Sequence, residues 1–131
     1  MVASKLLLDT HVALWVAGSP SRLGREAIAM IRSATEVAIS SISIAEINMK
    51  AMTGNLKKPD DLVRRFESAR YEIAGFSAEA ATEIERFGSL AKHDPFDRLL
   101  LAQASVGGYK LLTADAKLLD QGFDFVIDAE I

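Results

Sequence analysis

Apolar residues recur along this chain in two alternating rhythms. Short, nearly unbroken apolar runs occupy residues 5–9 (KLLLD), 36–40 (EVAIS), 71–76 (YEIAGF), 109–113 (YKLLT) and 124–128 (DFVID); each reads as a strand, the last as an edge strand. Helical spacing fills the intervals, over residues 10–18, 21–34, 43–54, 58–70 and 77–90, then in a helix opened by Asp94 and a short one over 115–122. Ser43 and Glu46 read as a Ser-x-x-Glu capping box at the start of the helix over 43–54, with Ser40, Ser41 and Ser43 as capping residues and Gly54 closing it. Strands that alternate with helices and are apolar throughout imply a parallel sheet covered by helices on both faces, an α/β sandwich. Trp15, at helical spacing from His11 and Val12, reads as core or dimer surface, and Met30, Met49 and Met52 as gap-filling apolar residues.

Composition narrows the class. At 131 residues and 14.2 kDa, half of them hydrophobic, the chain has the size and apolar content of a single domain over residues 1–131. No run approaches the ~18 apolar residues of a membrane span, and no leader pattern opens the chain, so a soluble, cytoplasmic protein without membrane contact is expected. The absence of cysteine excludes disulfides, thiol catalysis and cysteine-ligated metals. A formal charge of −3 provides no broad basic field for nucleic acid. The distribution is uneven, however: Lys50, Lys57, Lys58, Arg64, Arg65 and Arg70 face only Asp60, Asp61 and Glu67 in one stretch, which reads first as a solvated helix face.

In such sheets the functional crevice lies beyond the carboxyl ends of the strands, near the point where strand order reverses. Four separated acids map there. Asp9 ends the first strand, Asp115 follows the strand over 109–113, Glu46 lies early in the helix after the second strand, and Asp97 lies in the first turn of its helix. In the stretch HDPFDR, helix initiation alone accounts for Asp94 as N-cap, Pro95 as first helical residue and Asp97 at the third position, able to reach back to the cap. Four converging carboxylates repel unless a cation binds, and oxygen donors without cysteine suit Mg²⁺ or Mn²⁺ better than Zn²⁺. The matching chemistry is phosphodiester hydrolysis with a metal-bound water. His11 and His93 flank the crevice but lack the paired spacing of a zinc site, and they read as hydrogen-bonded residues. No Gly-x-Ser-x-Gly, Gly-x-Gly-x-x-Gly or Walker loop is present, which leaves serine hydrolases and nucleotide cofactors without support.

The ordered segments LLLDTHVALW, SSISIAEINMKAMTGNL, HDPFDRLLLAQA and LLTAD, spanning residues 6–115, resemble PIN-domain ribonucleases of the VapC toxin type. The resemblance implies a three-layer α/β/α sandwich with a mainly parallel sheet, and a Mg²⁺- or Mn²⁺-dependent endoribonuclease. It further implies a homodimer and a small VapB-like antitoxin that blocks the acidic site. Carried over by position, Asp9, Glu46, Asp97 and Asp115 would be the catalytic, metal-binding acids. Thr10 and Thr113 match hydroxyl positions that orient a carboxylate or water, and Asp94 matches the first acid of the DPFD box, mainly as the cap. Arg98 is open between phosphate contact, antitoxin contact and salt bridge. Lys50, Lys57 and Lys58 are candidate contacts to RNA or antitoxin. Ala45 departs from the tryptophan often found before the glutamate, which bears on local packing rather than on Glu46. Two other readings are a receiver-type phosphorylatable domain, which would carry paired acids after the first strand, and a catalytically silent PIN fold acting as a binding module.

Overall fold

A computed structural model describes residues 4–131. Strands β1 (Lys5–Leu8), β2 (Glu36–Ser40), β3 (Glu72–Ala74), β4 (Lys110–Thr113) and β5 (Val126–Asp128) form one sheet in the order β3-β2-β1-β4-β5, with every pairing parallel. The helices are α1 (Thr10–Gly18), α2 (Arg25–Ser33), α3 (Ser41–Met52), α4 (Leu62–Ser68), α5 (Ala78–Glu83), α6 (Pro95–Gly107) and α7 (Ala116–Asp120). The result is the three-layer α/β/α sandwich expected from the alternation.

The apolar runs are uninterrupted because both sheet faces are covered. Leu8, Ile39 and Leu112 pack with Val12, Ile47 and Phe66 on one face, while Leu7, Ala38 and Leu111 pack with Phe87, Leu100 and Leu118 on the other. Burying a leucine side chain of this kind stabilises by about 1.5–3 kcal/mol, which sets the register of each strand. Among the described residues no helix is long and apolar enough to cross a membrane.

The chain leaves β1 toward β2 and β3, then crosses back to place β4 on the other side of β1. This reversal puts a crevice above β1 and β4. Leu8 pairs with both Ile39 and Leu112, so the three central strands end level, and the Asp9 backbone N–H donates to Leu112 O at 3.0 Å. Asp9, Ser40 and Thr113 therefore follow in one row along the carboxyl edge.

Element ends differ from the sequence reading for identifiable reasons. Helix α3 begins at Ser41, not Ser43, because Ser40 is the N-cap and accepts from Ile42 N at 3.0 Å. Ser43 is buried inside the helix, so there is no capping box and Glu46 falls in the second turn. Helix α2 starts late, after a 3₁₀ turn at Pro20–Arg22, because Gly24 lies against the chain's last residue. Ile131 O accepts from Glu26 N and Ala27 N at 3.0 and 3.2 Å, taking two of the otherwise unpartnered donors at that helix start. The helix expected over 77–90 is α5 followed by a tighter 3₁₀ stretch, Ile84–Leu90, that bends at Phe87. The bend seats the Phe87 ring in the core, edge-on to Phe123 with centroids 5.3 Å apart. Helix α4 is shorter than expected, starting after Asp61 in the left-handed region at φ 52°. Met49 and Met52 are exposed, at 56% and 85%, rather than core residues; Trp15 is half-buried against the core with the Arg22 guanidinium 4.6 Å from its ring centre.

Candidate functional site

The local sequence builds the site out of helix starts. Asp9 caps α1, its Oδ1 accepting from Thr10 N at 2.6 Å while its Oδ2 accepts from the Thr113 hydroxyl at 2.6 Å. Asp115 caps α7, accepting from Lys117 N at 2.8 Å and Leu118 N at 3.3 Å, and its own N–H donates to the same Thr113 hydroxyl at 3.1 Å. One threonine thus ties the acids that follow β1 and β4. Asp94 caps α6 by accepting from Phe96 N at 2.9 Å, with Pro95 as the first helical residue. That cap sets Asp97 in the first turn, buried at the crevice.

Asp97 does not reach back to the cap. Its Oδ2 lies 2.8 Å from His93 Nε2, and the same nitrogen lies 3.4 Å from Asp115 Oδ2. His93, Asp97 and Asp115 each bring one ligand atom within 4.8 Å of the others. Glu46 stands on a separate arm. Its Oε1 accepts from the Thr10 hydroxyl at 2.7 Å, which also stands 2.9 Å from Ser43 Oγ, and its Oε2 takes the Lys50 ammonium at 2.6 Å one helical turn away.

Electrostatics record the crowding. Burial, followed by the charges of Asp9, Asp94 and Asp115, pushes Asp97 up to about 8. Burial also raises Asp9, against the Thr113 hydroxyl and the Thr10 N–H that favour its anion. Burial pulls Asp115 upward too, but the N–H groups of Leu118 and Lys117 outweigh it and hold that carboxyl below its usual range. The hydrogen bond to Glu46 raises Lys50 despite burial, with further contributions from Asp94 and Asp97. A set of carboxylates that holds one of its own members protonated near neutral pH is short of positive charge. Oxygen donors with one imidazole nitrogen beside them are a fitting donor set for a hard divalent cation.

Of the sequence candidates, Asp9, Asp97 and Asp115 meet at the β1/β4 crevice with Thr10, Thr113 and Asp94 in supporting contacts. Glu46 joins through Thr10 rather than through the His93 cluster. Lys50 reaches the site. Lys57 and Lys58 lie on the exposed segment before α4, where Lys58 Nζ donates to Asn48 Oδ1 at 2.8 Å, and Arg64, Arg65 and Arg70 form a solvated face. Among the described residues Arg98 forms no ion pair, which removes the salt-bridge option, and its buried Nε has no hydrogen-bond partner. Two residues gain weight over the sequence reading. His93 is a direct neighbour of two site acids, a contact foreshadowed by its one-turn spacing from Asp97. Arg22, for which the sequence offered no signal, lines a cleft of about 340 Å³ with Asp9, His11, Trp15 and Asp115. Behind the site, Gln103 is nearly fully buried; it accepts from the Ser40 hydroxyl and donates to Ala74 O and Gly75 O at 3.2 and 3.1 Å, fixing the roll of α6 against β2 and β3.

Comparison with known proteins bears on the family and the fold. The family model described as PIN domain matches residues 6–123. Ribonuclease VapC22 of Mycobacterium tuberculosis (strain ATCC 25618 / H37Rv) is 30% identical over 115 residues, covering 86% of this chain and 88% of that protein. In fold, the chain resembles VapBC2 from Rickettsia felis, solved bound to a DNA fragment from its promoter, with a TM-score of 0.67, 20% identity, and 95% and 96% of the two chains covered. It also resembles a toxin-antitoxin complex from Klebsiella pneumoniae, with a TM-score of 0.64, 20% identity, and 93% and 95% covered.

Proposed function

This chain belongs to the PIN-domain family, and from that premise we propose that it is a single PIN domain over residues 1–131 acting as a Mg²⁺- or Mn²⁺-dependent endoribonuclease. The observation that carries the reading is the convergence of Asp9, Asp97 and Asp115 at one sheet edge, crowded enough that Asp97 is pushed up to about 8 by burial and by its neighbours' charge.

A bound divalent cation would supply an activated water and positive charge opposite the phosphate. The chain's part is to hold and orient. Asp9, Asp97 and Asp115 would hold the ion, with Glu46 completing the set. Thr113 fixes the Asp9 carboxylate and Thr10 fixes Glu46, so neither rotates when charge builds on the substrate. Lys50 neutralises Glu46 and feels the charges of Asp94 and Asp97, a position from which its ammonium would meet an incoming phosphate. Lys57, Lys58 and Arg98 offer further contacts to the RNA backbone or to a protein partner. That partner is a VapB-like antitoxin, a reading supported by the likeness to VapBC2 of Rickettsia felis and to a toxin-antitoxin complex of Klebsiella pneumoniae, and the working form is a homodimer in the cytoplasm.

Cleavage mapping in total RNA tests the reading. Discrete cuts that vanish with EDTA and return with Mg²⁺ or Mn²⁺ are expected. Cuts that persist in EDTA, or no cuts with either ion, would contradict it.

A further inference from the structure

We propose that His93 Nε2 is a direct ligand of the divalent cation, together with Asp97 and Asp115, and that it tilts the site toward Mn²⁺ over Mg²⁺. The inference rests on the metal-dependent reading above and adds a nitrogen to a donor set otherwise made of oxygens.

The geometry is that of ligands around one ion. An octahedral centre with bonds of about 2.1 Å keeps adjacent ligand atoms about 3 Å apart. His93 Nε2 lies 2.8 Å from Asp97 Oδ2 and 3.4 Å from Asp115 Oδ2, bracketing that separation, and the three residues each bring a ligand atom within 4.8 Å of the others. The ring is held there. Its side chain is only 12% exposed, the His93 N–H donates to Leu90 O at 2.9 Å, and Pro95 at the α6 start stiffens the connection to Asp97.

The competing acids have fewer free atoms. Both Asp9 oxygens and both Glu46 oxygens already accept hydrogen bonds from Thr10, Thr113 or Lys50. Among the described residues no hydroxyl, ammonium or backbone N–H donates to the Asp97 carboxylate, and the N–H donors at Asp115 go to Oδ1, leaving Oδ2 toward His93. The atoms most available to a cation are therefore those of the His93 cluster. Mn²⁺, a transition-metal ion, accepts an imidazole nitrogen among its oxygen donors more readily than Mg²⁺, which favours an all-oxygen shell, so removing the ring should weaken Mn²⁺ more than Mg²⁺.

Pulsed electron paramagnetic resonance on the Mn²⁺-loaded chain tests this without reference to activity. The chain has two histidines, so His11→Gln leaves His93 as its sole imidazole. Wild type and His11→Gln should bind Mn²⁺ and show nitrogen modulation that changes frequency on ¹⁵N-histidine labelling. His93→Gln should bind Mn²⁺ about tenfold more weakly, without the modulation, while Mg²⁺ affinity changes much less. Bound Mn²⁺ in His11→Gln with no histidine nitrogen coupling overturns the His93 assignment and leaves the metal-dependent reading standing. No Mn²⁺ binding by wild type overturns both. Because the labelled His11→Gln chain answers alone, the outcome holds even if His93→Gln fails to fold.

Discussion

Asp97→Asn separates a carboxylate placed for metal from one placed for a helix dipole. In the folded chain the Asp97 carboxyl is raised from 3.8 to about 8, so it keeps a proton that the unfolded chain has lost. The folded state then binds more protons between these limits, and stability falls as pH rises from about 4 to about 8. Each unit corresponds to about 1.4 kcal/mol, but the site opens to solvent, and screening reduces the penalty at pH 8–9 to the order of 2 kcal/mol. Asparagine keeps the shape and cannot ionise. It therefore stands in for the protonated acid at every pH. Without metal, Asp97→Asn should therefore lie close to wild type at pH 5 and exceed it by about 2 kcal/mol at pH 9. Thermal unfolding from pH 5 to 9, with EDTA or Mn²⁺, reads both effects. Mn²⁺ should raise the wild-type midpoint more at pH 8 than at pH 6, because it competes with the Asp97 proton, and should barely move the variant. An identical pH slope and an identical Mn²⁺ response in the two proteins would refute the reasoning.

Lys50→Met and Glu46→Gln should couple by about 1 kcal/mol in a urea-unfolding double-mutant cycle at low salt, since Glu46 is 4% exposed and its 39% exposed partner is partly screened; additive values would show that the pair contributes nothing. Gly24→Ala should lose about 1–3 kcal/mol in the urea midpoint, because a Cβ there would stand 1.8 Å from Ile131 O, and a wild-type midpoint would mean that this contact is not maintained. Phe87→Ala should cost about 3–5 kcal/mol by the same assay through loss of the ring seated against Phe123; a cost under about 1 kcal/mol would deny that the bend exists to bury it.

The legible parts of the fold were those governed by burial. Leu6, Leu7 and Leu8 could be placed in a parallel sheet because strands covered on both faces must be apolar throughout, and Asp94 with Pro95 announced a helix start by local chemistry alone. What misled were local signals overruled by distant contacts. Ser43 and Glu46 have capping-box spacing, yet Ser40 captured the cap and Thr10, 33 residues from Ser43, drew both side chains inward. Gly24 begins α2 because of Ile131, which no window of adjacent residues contains. The acids of the site were readable from their positions at strand ends and helix starts. His93 reads from the sequence as a hydrogen-bonded residue because it lacks a second histidine at zinc spacing; its partner is instead the aspartate one turn on. Arg22 depends on how the 3₁₀ turn folds over Trp15, which tertiary packing decides.

The central claim, that Asp9, Asp97 and Asp115 act as one metal-dependent site on RNA, is tested most directly by single-turnover cleavage of a defined RNA in Mn²⁺. The account predicts that each Asp→Asn variant stays folded and loses on the order of 100-fold or more in rate, and that Asp97→Asn combined with Asp115→Asn loses little beyond the worse single variant, as residues acting as a unit do. A folded Asp97→Asn chain that cleaves at the wild-type rate would contradict it.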